Sequence, residues 1–308
     1  MNPYVFMTDS DSDLPFRYVD ELDMTMVYMP YILDGKEYFD DLGRSGKQKE
    51  YFDNMRAGAA PVTSLLPTAA YVEYFEPCFK EGRDILFVAF SSQLSGTINN
   101  VYAARDELLA KYPDRRMTVV DTLSISAPQT ILILKAHELY RRGKSMDEVA
   151  QWLEDNKMRA QAWFTVDDLK YLRRGGRIPA SVAVAGAALD VKPLLVIAED
   201  GTLSLVGVAR GRKKGIKQLA EYYKKNVDDA GQAHVAIVGH ADCPKDAARL
   251  KEALEKEAPG LLCLVCNIGP VIGSHVGADM LAVVFWGHDK RENLSVADRI
   301  ARKVKGDK

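Results

Sequence analysis

Hydroxyl side chains follow two apolar segments, at points where a strand would end and a helix would begin. Apolar residues 85–90 run into Ser91-Ser92-Gln93-Leu94-Ser95-Gly96-Thr97, and Val62-Thr63-Ser64 precedes a predicted helix that starts near Thr68. Hydroxyl and free backbone N–H groups at a helix N-terminus can bind a carboxylate or a phosphate. Each cluster alone also fits a plain N-cap. Together, in one βαβ region, they favour a shared anion pocket, and no general base lies beside them in the sequence.

A third segment combines one histidine with three glycines and a proline. It reads Asn267-Ile-Gly-Pro-Val-Ile-Gly-Ser-His275-Val-Gly277, which predicts a loop rich in accessible backbone that opens onto the last strand. His275 could donate a hydrogen bond to an acid, and the ordinary pKa of histidine suits either protonation state. A structural role for this histidine is an equal alternative.

Three aspartates alternate after the first apolar segment. Asp9 and Asp11 form a D-x-D pair like that of haloacid-dehalogenase-type phosphohydrolases, in which one aspartate attacks a phosphoryl group and the other acts as acid and base. The alternative that we favour is structural: Asp13 or Ser12 caps the helix that follows.

Other chemical motifs are missing or fit a structural role. The sequence contains no G-x-x-x-x-G-K-[ST], G-x-G-x-x-G, G-x-S-x-G or H-E-x-x-H motif. Cys263 and Cys266 have the spacing of a redox pair or half a zinc site. However, residues 261–268 resemble a buried strand, on which positions three apart point to opposite faces. We therefore predict structural cysteines, no metal site and no cofactor.

The composition excludes several classes of protein. Of the 308 residues, 47% are hydrophobic and 27% are charged, which is typical of a soluble globular chain and not of a disordered one. The net charge of −2 argues against a nucleic-acid partner. The apolar window 178–198 is interrupted by Asp190, Lys192 and Pro193, so stable membrane insertion is not expected. No secretory signal is visible, and we expect a cytoplasmic protein with reduced thiols.

Alternating strands and helices position these groups. In the first half the patterns predict strands at 4–8, 26–31, 84–90 and 117–120, a hairpin turn at Asp34-Gly35, and helices at 68–79, 95–110, 124–140 and 146–156. In the second half they predict strands at 162–166, 191–198, 203–208, 235–239, 261–268 and 281–286, and helices at 216–226 and 244–257. Such alternation is typical of α/β folds.

We therefore predict two α/β lobes that meet near residue 160. The N-terminal lobe, residues 1–160, would have a mainly parallel sheet and carry the hydroxyl clusters. The C-terminal lobe, residues 161–308, would have a mixed sheet and carry the histidine loop and two basic clusters. Ligands of such folds bind at the carboxyl ends of strands or between lobes, so we expect the binding site at the junction.

Four segments, taken together and in this order, resemble the DegV family. They are Thr63-Ser64, Ser91-Ser92-x-x-Ser95-Gly96-Thr97, Leu172-Arg-Arg-Gly-Gly-Arg177-Ile178 and Gly269-Pro270…Ser274-His275-x-Gly277. The resemblance covers nearly the whole chain. Members of this family are bacterial fatty-acid-binding proteins, and some are the acyl-carrying subunit of a fatty-acid kinase. Their acyl chain lies in a tunnel between two α/β lobes.

The resemblance implies that a long-chain fatty acid binds here without a cofactor and without catalysis by this chain. Its carboxylate would be held by the hydroxyls of Thr63, Ser64, Ser92 and Ser95 with His275 close by, and Arg177 would support that network. Burying about 15 methylene or methyl groups contributes about 12 kcal/mol, against about 1 kcal/mol for one neutral hydrogen bond. The tunnel would therefore supply affinity, and the polar groups would supply orientation.

The resemblance also implies a partner. The run Arg210-Gly-Arg212-Lys213-Lys214 is similar to the family stretch that faces the kinase, so Arg210 and Arg212 are predicted to contact a fatty-acid kinase subunit. Leu65-Leu66 and Ala278-Asp279 depart from the family pattern. The small residues of the stretch 183–188 would let an acyl chain lie against a helix, or would allow close helix packing. A metal-dependent phosphohydrolase using Asp9 and Asp11, and a regulatory protein-binding module, remain as alternatives.

Overall fold

The computed structural model describes residues 3–182, 190–228 and 235–292, and within these ranges the chain forms three β-sheets and ten α-helices. The strands are β1 (Tyr4–Asp9), β2 (Thr25–Val27), β3 (Pro30–Leu33), β4 (Lys36–Phe39), β5 (Val62–Thr63), β6 (Asp84–Ala89), β7 (Met117–Asp121), β8 (Ala160–Thr165), β9 (Val191–Ile197), β10 (Leu203–Arg210), β11 (Val235–His240), β12 (Leu262–Asn267) and β13 (Leu281–Trp286). The helices are α1 (Phe16–Leu22), α2 (Gln48–Arg56), α3 (Thr68–Lys80), α4 (Thr97–Lys111), α5 (Ala127–Arg141), α6 (Met146–Asn156), α7 (Lys170–Arg174), α8 (Arg212–Asn226), α9 (Pro244–Glu257) and α10 (Pro270–Val276).

The first sheet is parallel, in the order β2-β1-β6-β7, which confirms the predicted N-terminal sheet. Strand β1 is buried along its whole length, as expected of a parallel strand with helices on both sides. Its alternating side chains divide between two cores. Val5 packs in the cluster that contains Phe75 of α3, and Phe6 packs in the cluster that contains Leu132 of α5.

The largest sheet is mixed, in the order β10-β9-β8-β13-β11-β12, as predicted for the C-terminal region. Only β11 and β12 pair in parallel among its described strands. On one face, Phe285 packs in a cluster with Leu219 of α8 and Leu250 of α9. On the other face, Ala162 and Val284 pack in the core that also contains α5. Both faces of this sheet are therefore buried, and the inner face, which carries Ala162 and Val284, packs against the N-terminal region.

A small antiparallel sheet, β4-β3-β5, lies beside the other two. The predicted turn is confirmed, because Asp34 and Gly35 join β3 to β4 with φ angles of 51° and 74°, as in a tight hairpin. The sequence patterns missed β5, which is two residues long and carries Thr63 opposite Tyr31.

Asp13 connects distant parts of the chain instead of capping the next helix. Its Oδ1 accepts a hydrogen bond of 2.7 Å from the N–H of Gly269, and its Oδ2 accepts one from the hydroxyl of Ser126. Pro15 occupies the N-cap of α1, and no side chain caps that helix. The predicted cap by Asp13 or Ser12 is therefore wrong. Asp13 has a φ of 55°, so the chain turns at this residue before α1 begins.

The cysteines lie in separate places. Cys263 packs with α8 and α9 on one face of the mixed sheet, and Cys266 packs in the core on the other face, which confirms their predicted divergence. Both are buried and free, and burial raises the pKa of each thiol to about 11. Within the described ranges there is no cluster of three or more potential metal ligands. None of the helices in those ranges combines the length and the apolar character needed to cross a membrane.

The strands of the parallel sheet all precede residue 160, and those of the mixed sheet all begin at Ala160 or later. The division into lobes at 1–160 and 161–308 stays a prediction.

Candidate functional site

A largely apolar cavity of about 290 Å³ lies where the three sheets meet. Residues that follow β1 and β6 line one side, and the inner face of the mixed sheet lines the other. The apolar lining includes Met29, Phe90, Ile125, Pro128, Ala162, Phe164, Ile197, Ala282 and Val284. Among the described residues, the polar lining consists of Asp11, Thr63, Ser64, Ser95, Thr97, Ser126, Arg177 and His275. The cavity is thus at the predicted junction, at the carboxyl ends of the parallel strands.

Thr63 and His275 meet at this cavity although 212 positions separate them. Thr63 Oγ1 lies 3.0 Å from Nε2 of His275. His275 belongs to the helix α10, so the predicted loop is wrong. The helix begins with Pro270 at its first turn, where the fixed φ of proline favours a helix. Gly273 has no room for a Cβ, which would lie 2.8 Å from the ring of Phe52. The glycine here serves close packing.

The imidazole of His275 is neutral at physiological pH. Burial, together with the positive charges of Arg177 and Arg174, lowers its pKa to about 4. A neutral imidazole has one donor and one acceptor nitrogen. Nδ1 is buried and has no hydrogen-bond partner among the described residues. It faces Gly175, where a Cβ would collide with it and would lie 3.1 Å from Cε1. Gly175 therefore makes room for the histidine ring.

Arg177 ties two loops together at the same cavity. Its Nε donates a hydrogen bond of 2.9 Å to the carbonyl of Leu94, and its Nη1 donates to the carbonyl of Gly175. Neither bond uses Nη2. Burial lowers the pKa of Arg177, and the nearby Asp11 opposes that shift. Since guanidinium groups keep their charge in proteins, Arg177 brings a positive charge to the polar part of the cavity.

The serines predicted from the sequence differ in position. Ser64 and Ser95 line the cavity; the hydroxyl of Ser64 is 3.4 Å from Oε1 of Glu37, and Ser95 Oγ accepts a bond of 3.2 Å from the N–H of Thr97. Ser92 does not line the cavity as far as the structure describes it. Its Oγ accepts a hydrogen bond of 3.1 Å from Gln93 Nε2.

Asp11 also lines the cavity, although the sequence analysis considered it only as part of a phosphohydrolase motif. Its side chain is 2% exposed, and its Oδ1 has no hydrogen-bond partner among the described residues. Burial and the neighbouring carboxyls of Asp9, Asp40 and Asp13 raise its pKa well above the ordinary value. The alternation of three aspartates was the available signal, but it was interpreted as a motif or a cap.

The two aspartates of the D-x-D pair differ in their access to the cavity. Asp9 Oδ1 lies 3.3 Å from Nε2 of Gln129, and burial raises the pKa of Asp9 to about 7. Asp9 is absent from the described lining of the cavity, whereas Asp11 is part of it. A phosphohydrolase of the type considered above uses both carboxyls at one phosphoryl group, and a ligand in this cavity would meet only Asp11, which argues against that function.

Comparison with known proteins gives the family. The family model for DegV, whose description is "Uncharacterised protein, DegV family", matches residues 5–287. The chain belongs to the DegV family. A DegV domain-containing protein of Clostridium perfringens is 39% identical over 290 residues, which cover 94% of this chain and 99% of that protein.

Solved DegV structures have the same fold. A DegV family protein from Thermus thermophilus, described by its fatty acid binding, is 29% identical, with a TM-score of 0.80 over 93% of this chain and 100% of that chain. A DegV lipid-binding protein from Thermotoga maritima is 25% identical, with a TM-score of 0.81 over 94% of this chain and 99% of that chain.

The DegV resemblance also predicted a contact for two arginines, which differ in their surroundings. Arg210 is exposed at the end of β10. Arg212 is held against α9, because its Nε donates a hydrogen bond of 2.8 Å to Asp246 and only 18% of its side chain is exposed. The small residues of the stretch 183–188 lie outside the described residues.

Proposed function

We propose that this DegV-family protein binds a long-chain fatty acid, with the acyl chain inside the cavity and the carboxylate beside Thr63 and His275. The observation that carries the proposal is the 3.0 Å contact of these two side chains at the polar part of an otherwise apolar cavity. The Thermus thermophilus and Thermotoga maritima relatives, described as fatty-acid and lipid binding, support the same ligand class.

The polar groups suit a carboxylate. Thr63 and neutral His275 share one hydrogen bond of 3.0 Å. When Nε2 of His275 carries the proton and donates it to Thr63 Oγ1, the Thr63 hydroxyl is free to donate to the ligand. Ser95 adds a second hydroxyl, and Arg177 adds a positive charge. Hydrogen bonds to an ionised acceptor are stronger than neutral ones. We include Ser64 in the site because it lines the cavity, and we give Ser95 a closer role than Ser92 because Ser92 lies outside the described lining.

The hydrocarbon chain would supply most of the affinity. Each buried methylene contributes about 0.8 kcal/mol, so a chain of ten methylenes contributes several times the energy of one hydrogen bond to a charged group, which is about 1.5–3 kcal/mol. The inner face of the mixed sheet offers small side chains, Ala162 and Ala282, along the cavity wall. The head group therefore sets direction, while the wall sets binding strength.

We further propose that the bound acid is presented to a fatty-acid kinase subunit, with Arg210 at the contact. Arg210, Lys213 and Lys214 are exposed and close in sequence. Complementary charge accelerates encounter and selects partners. In this role Arg212 acts through its ion pair with Asp246, which fixes the start of α8 next to Arg210.

Lipid analysis tests the proposal. Protein purified from a bacterial host is extracted with organic solvent, and the extract is analysed by mass spectrometry for fatty acids. We expect about one acyl chain per protein, and we expect delipidated protein to bind added palmitate or oleate. Repeated absence of lipid together with no uptake of either acid would overturn the proposal.

A variant pair separates specific binding from surface adsorption. Ala162→Leu adds volume to the cavity wall, whereas Ala253→Leu makes the same change on α9, outside the cavity lining. Specific binding requires that the first variant lose retained lipid and that the second keep it. Equal retention by both would contradict the cavity as the site.

A further inference from the structure

Asp11 places a carboxyl group in the cavity that the proposed function gives to an anion. The residue is 2% exposed and lines the cavity, and its Oδ1 has no hydrogen-bond partner in the described part of the chain. An orphaned buried acceptor costs free energy unless a ligand or a proton satisfies it. The cavity offers the space in which either can do so.

Three other buried carboxyls surround Asp11, and their hydrogen bonds lie elsewhere. Asp9 accepts from Gln129, Asp13 accepts from Ser126 and from the N–H of Gly269, and Asp40 Oδ1 accepts from the N–H of Leu42 at 2.9 Å. None of these three lines the described cavity, whereas Asp11 does. Asp11 is therefore the member of this acidic group that a ligand in this cavity can reach.

The charges that face Asp11 are unbalanced. Asp9 on β1, Asp13 on the same turn and Asp40 after β4 raise the energy of its ionised form, and Arg177 after α7 is the cation that opposes them. Tyr71 of α3 also faces Asp9 and Asp11, and its pKa is raised well above the ordinary value, so it is neutral. Two carboxylates in one buried site do not both ionise. A fatty-acid carboxylate next to an ionised Asp11 would be such a pair.

We propose that the ligand carboxylate binds only to the form of the protein in which Asp11 carries a proton, so that fatty-acid binding is linked to proton binding at Asp11. The proposal rests on the fatty-acid binding proposed above. The proton comes from solvent and stays on the pair formed by Asp11 and the ligand, and no bond of the ligand changes. A neutral head group, such as an alcohol, has no such requirement.

The sign of the pH dependence follows from linkage. Burial and the neighbouring carboxyls raise the pKa of Asp11, so the protonated form persists to a higher pH than for an ordinary aspartate. Below that pKa the affinity for palmitate is constant. Above it, the affinity falls by up to about tenfold per pH unit, because one proton must be taken up for each ligand bound. His275 does not contribute in this range, because its pKa is about 4. Asp9 and Asp40, with pKa values of about 7, do titrate in it, so the effect of Asp11 is the difference between the wild type and a variant that lacks the Asp11 carboxyl.

The test compares palmitate with 1-hexadecanol between pH 6.5 and pH 10. Binding of both ligands to the delipidated full chain is measured for the wild type, for Asp11→Asn and for the matched control Asp167→Asn, which makes the same change on an exposed side chain. In the wild type and the control we expect the ratio of palmitate to hexadecanol affinity to fall with rising pH, by up to about tenfold per pH unit once the pH exceeds the pKa of Asp11. In Asp11→Asn, which keeps Asp9 and Asp40, we expect a fall at least about threefold smaller than in the wild type.

A ratio that stays constant in the wild type, or that falls equally in Asp11→Asn, would overturn the proposal while fatty-acid binding stands. Binding of neither ligand would instead overturn the proposed function. Thermal unfolding checks that Asp11→Asn folds. If it does not, calorimetry of the wild type in buffers of different ionisation enthalpy supplies the decision: uptake of about one proton per palmitate at the upper end of the range supports the link, and no uptake at any pH overturns it.

Discussion

Asp13 Oδ1 accepts a 2.7 Å hydrogen bond from the N–H of Gly269, across 256 positions of the chain. Gly269 immediately precedes α10, the helix that carries His275. A Cβ on Gly269 would lie 2.8 Å from Asp13 Oδ1 and would collide with Asp40. The turn after β1 thus holds the N-terminus of α10, the helix that brings His275 to the cavity. Only glycine at position 269 lets the two segments come this close.

Asp13→Ala removes the acceptor of two buried donors, the N–H of Gly269 and the hydroxyl of Ser126. Since each of the two orphaned donors costs about 1–3 kcal/mol, we expect the free energy of unfolding to fall by about 2–6 kcal/mol in urea titrations. The control Asp53→Ala removes exposed ion pairs with Lys49 and Arg56, and should cost less than about 1 kcal/mol. Equal losses would show that Asp13 is not a link in the folded state.

Gly175→Ala should displace the His275 ring, because the new methyl group would occupy the space of Nδ1. We expect the affinity for palmitate to fall about tenfold, as for the loss of one hydrogen bond to a charged group. Isothermal titration measures it. Gly207→Ala is the control, because its Cβ would meet nothing closer than 3.8 Å and its φ is not positive. If both variants bind palmitate alike, the position of His275 does not matter for binding.

Thr63→Val keeps the shape of the side chain and removes the hydroxyl that lies 3.0 Å from His275. We expect palmitate to bind about tenfold more weakly and 1-hexadecanol to be affected less, because the lost hydrogen bond goes to an ionised group. Competition with a fluorescent fatty acid measures both. Thr118→Val on β7 serves as the control outside the cavity. An equal loss for acid and alcohol would contradict the carboxylate contact.

Ala162→Leu should discriminate between acyl chains by length. On the mixed sheet Ala162 pairs with Val284, and Phe164 pairs with Ala282. The first pair lies two residues further along β13 from α10 than the second, which is a distance of about 7 Å. The end of a long chain should therefore reach Ala162. We expect palmitate to lose at least about tenfold in affinity, since several methylenes would be displaced at about 0.8 kcal/mol each, and decanoate to lose little. Equal losses for both acids would place Ala162 elsewhere along the chain.

Asp40→Asn should change how stability depends on pH. Burial raises the pKa of Asp40 to about 7, above that of the unfolded chain, so the folded state keeps a proton that the unfolded state releases. Its contribution to stability is therefore greatest below about pH 4 and is lost as the pH rises to about 7. We expect Asp40→Asn to gain stability relative to the wild type between pH 5 and pH 8 in urea titrations. A constant difference across this range would refute the assignment.

The periodicity of apolar residues, together with the residues that flank each segment, was sufficient to predict most helices and strands. The helices Met146–Asn156 and Pro244–Glu257 and the strand Leu281–Trp286 have the predicted bounds, because their apolar spacing and their flanking residues agree. The predicted strand at 26–31 is instead divided between β2 and β3. A distant side chain explains the break: the hydroxyl of Ser10 takes the N–H of Met29 at 2.8 Å.

The residues of the candidate site were harder to predict from such patterns. The order of motifs that resembles the DegV family gave Thr63, Ser95, Arg177 and His275, and the cavity contains all four. Spacing could not reveal that Asp11 shares the cavity, since its position depends on contacts with residues far along the chain. For the same reason, the sequence pattern around Asp13 suggested a local helix cap and gave no sign of its hydrogen bond to Gly269.

The polar groups of the cavity come from both halves of the chain, with Thr63 and Ser95 before residue 160 and Arg177 and His275 after it. A polypeptide cut near that residue would leave each fragment with two of these four side chains, which we propose contact the head group, and with one wall of the cavity. When two separately produced fragments are mixed, bound fatty acid would then indicate that they have reassociated. Fragment complementation could therefore be measured by ligand binding.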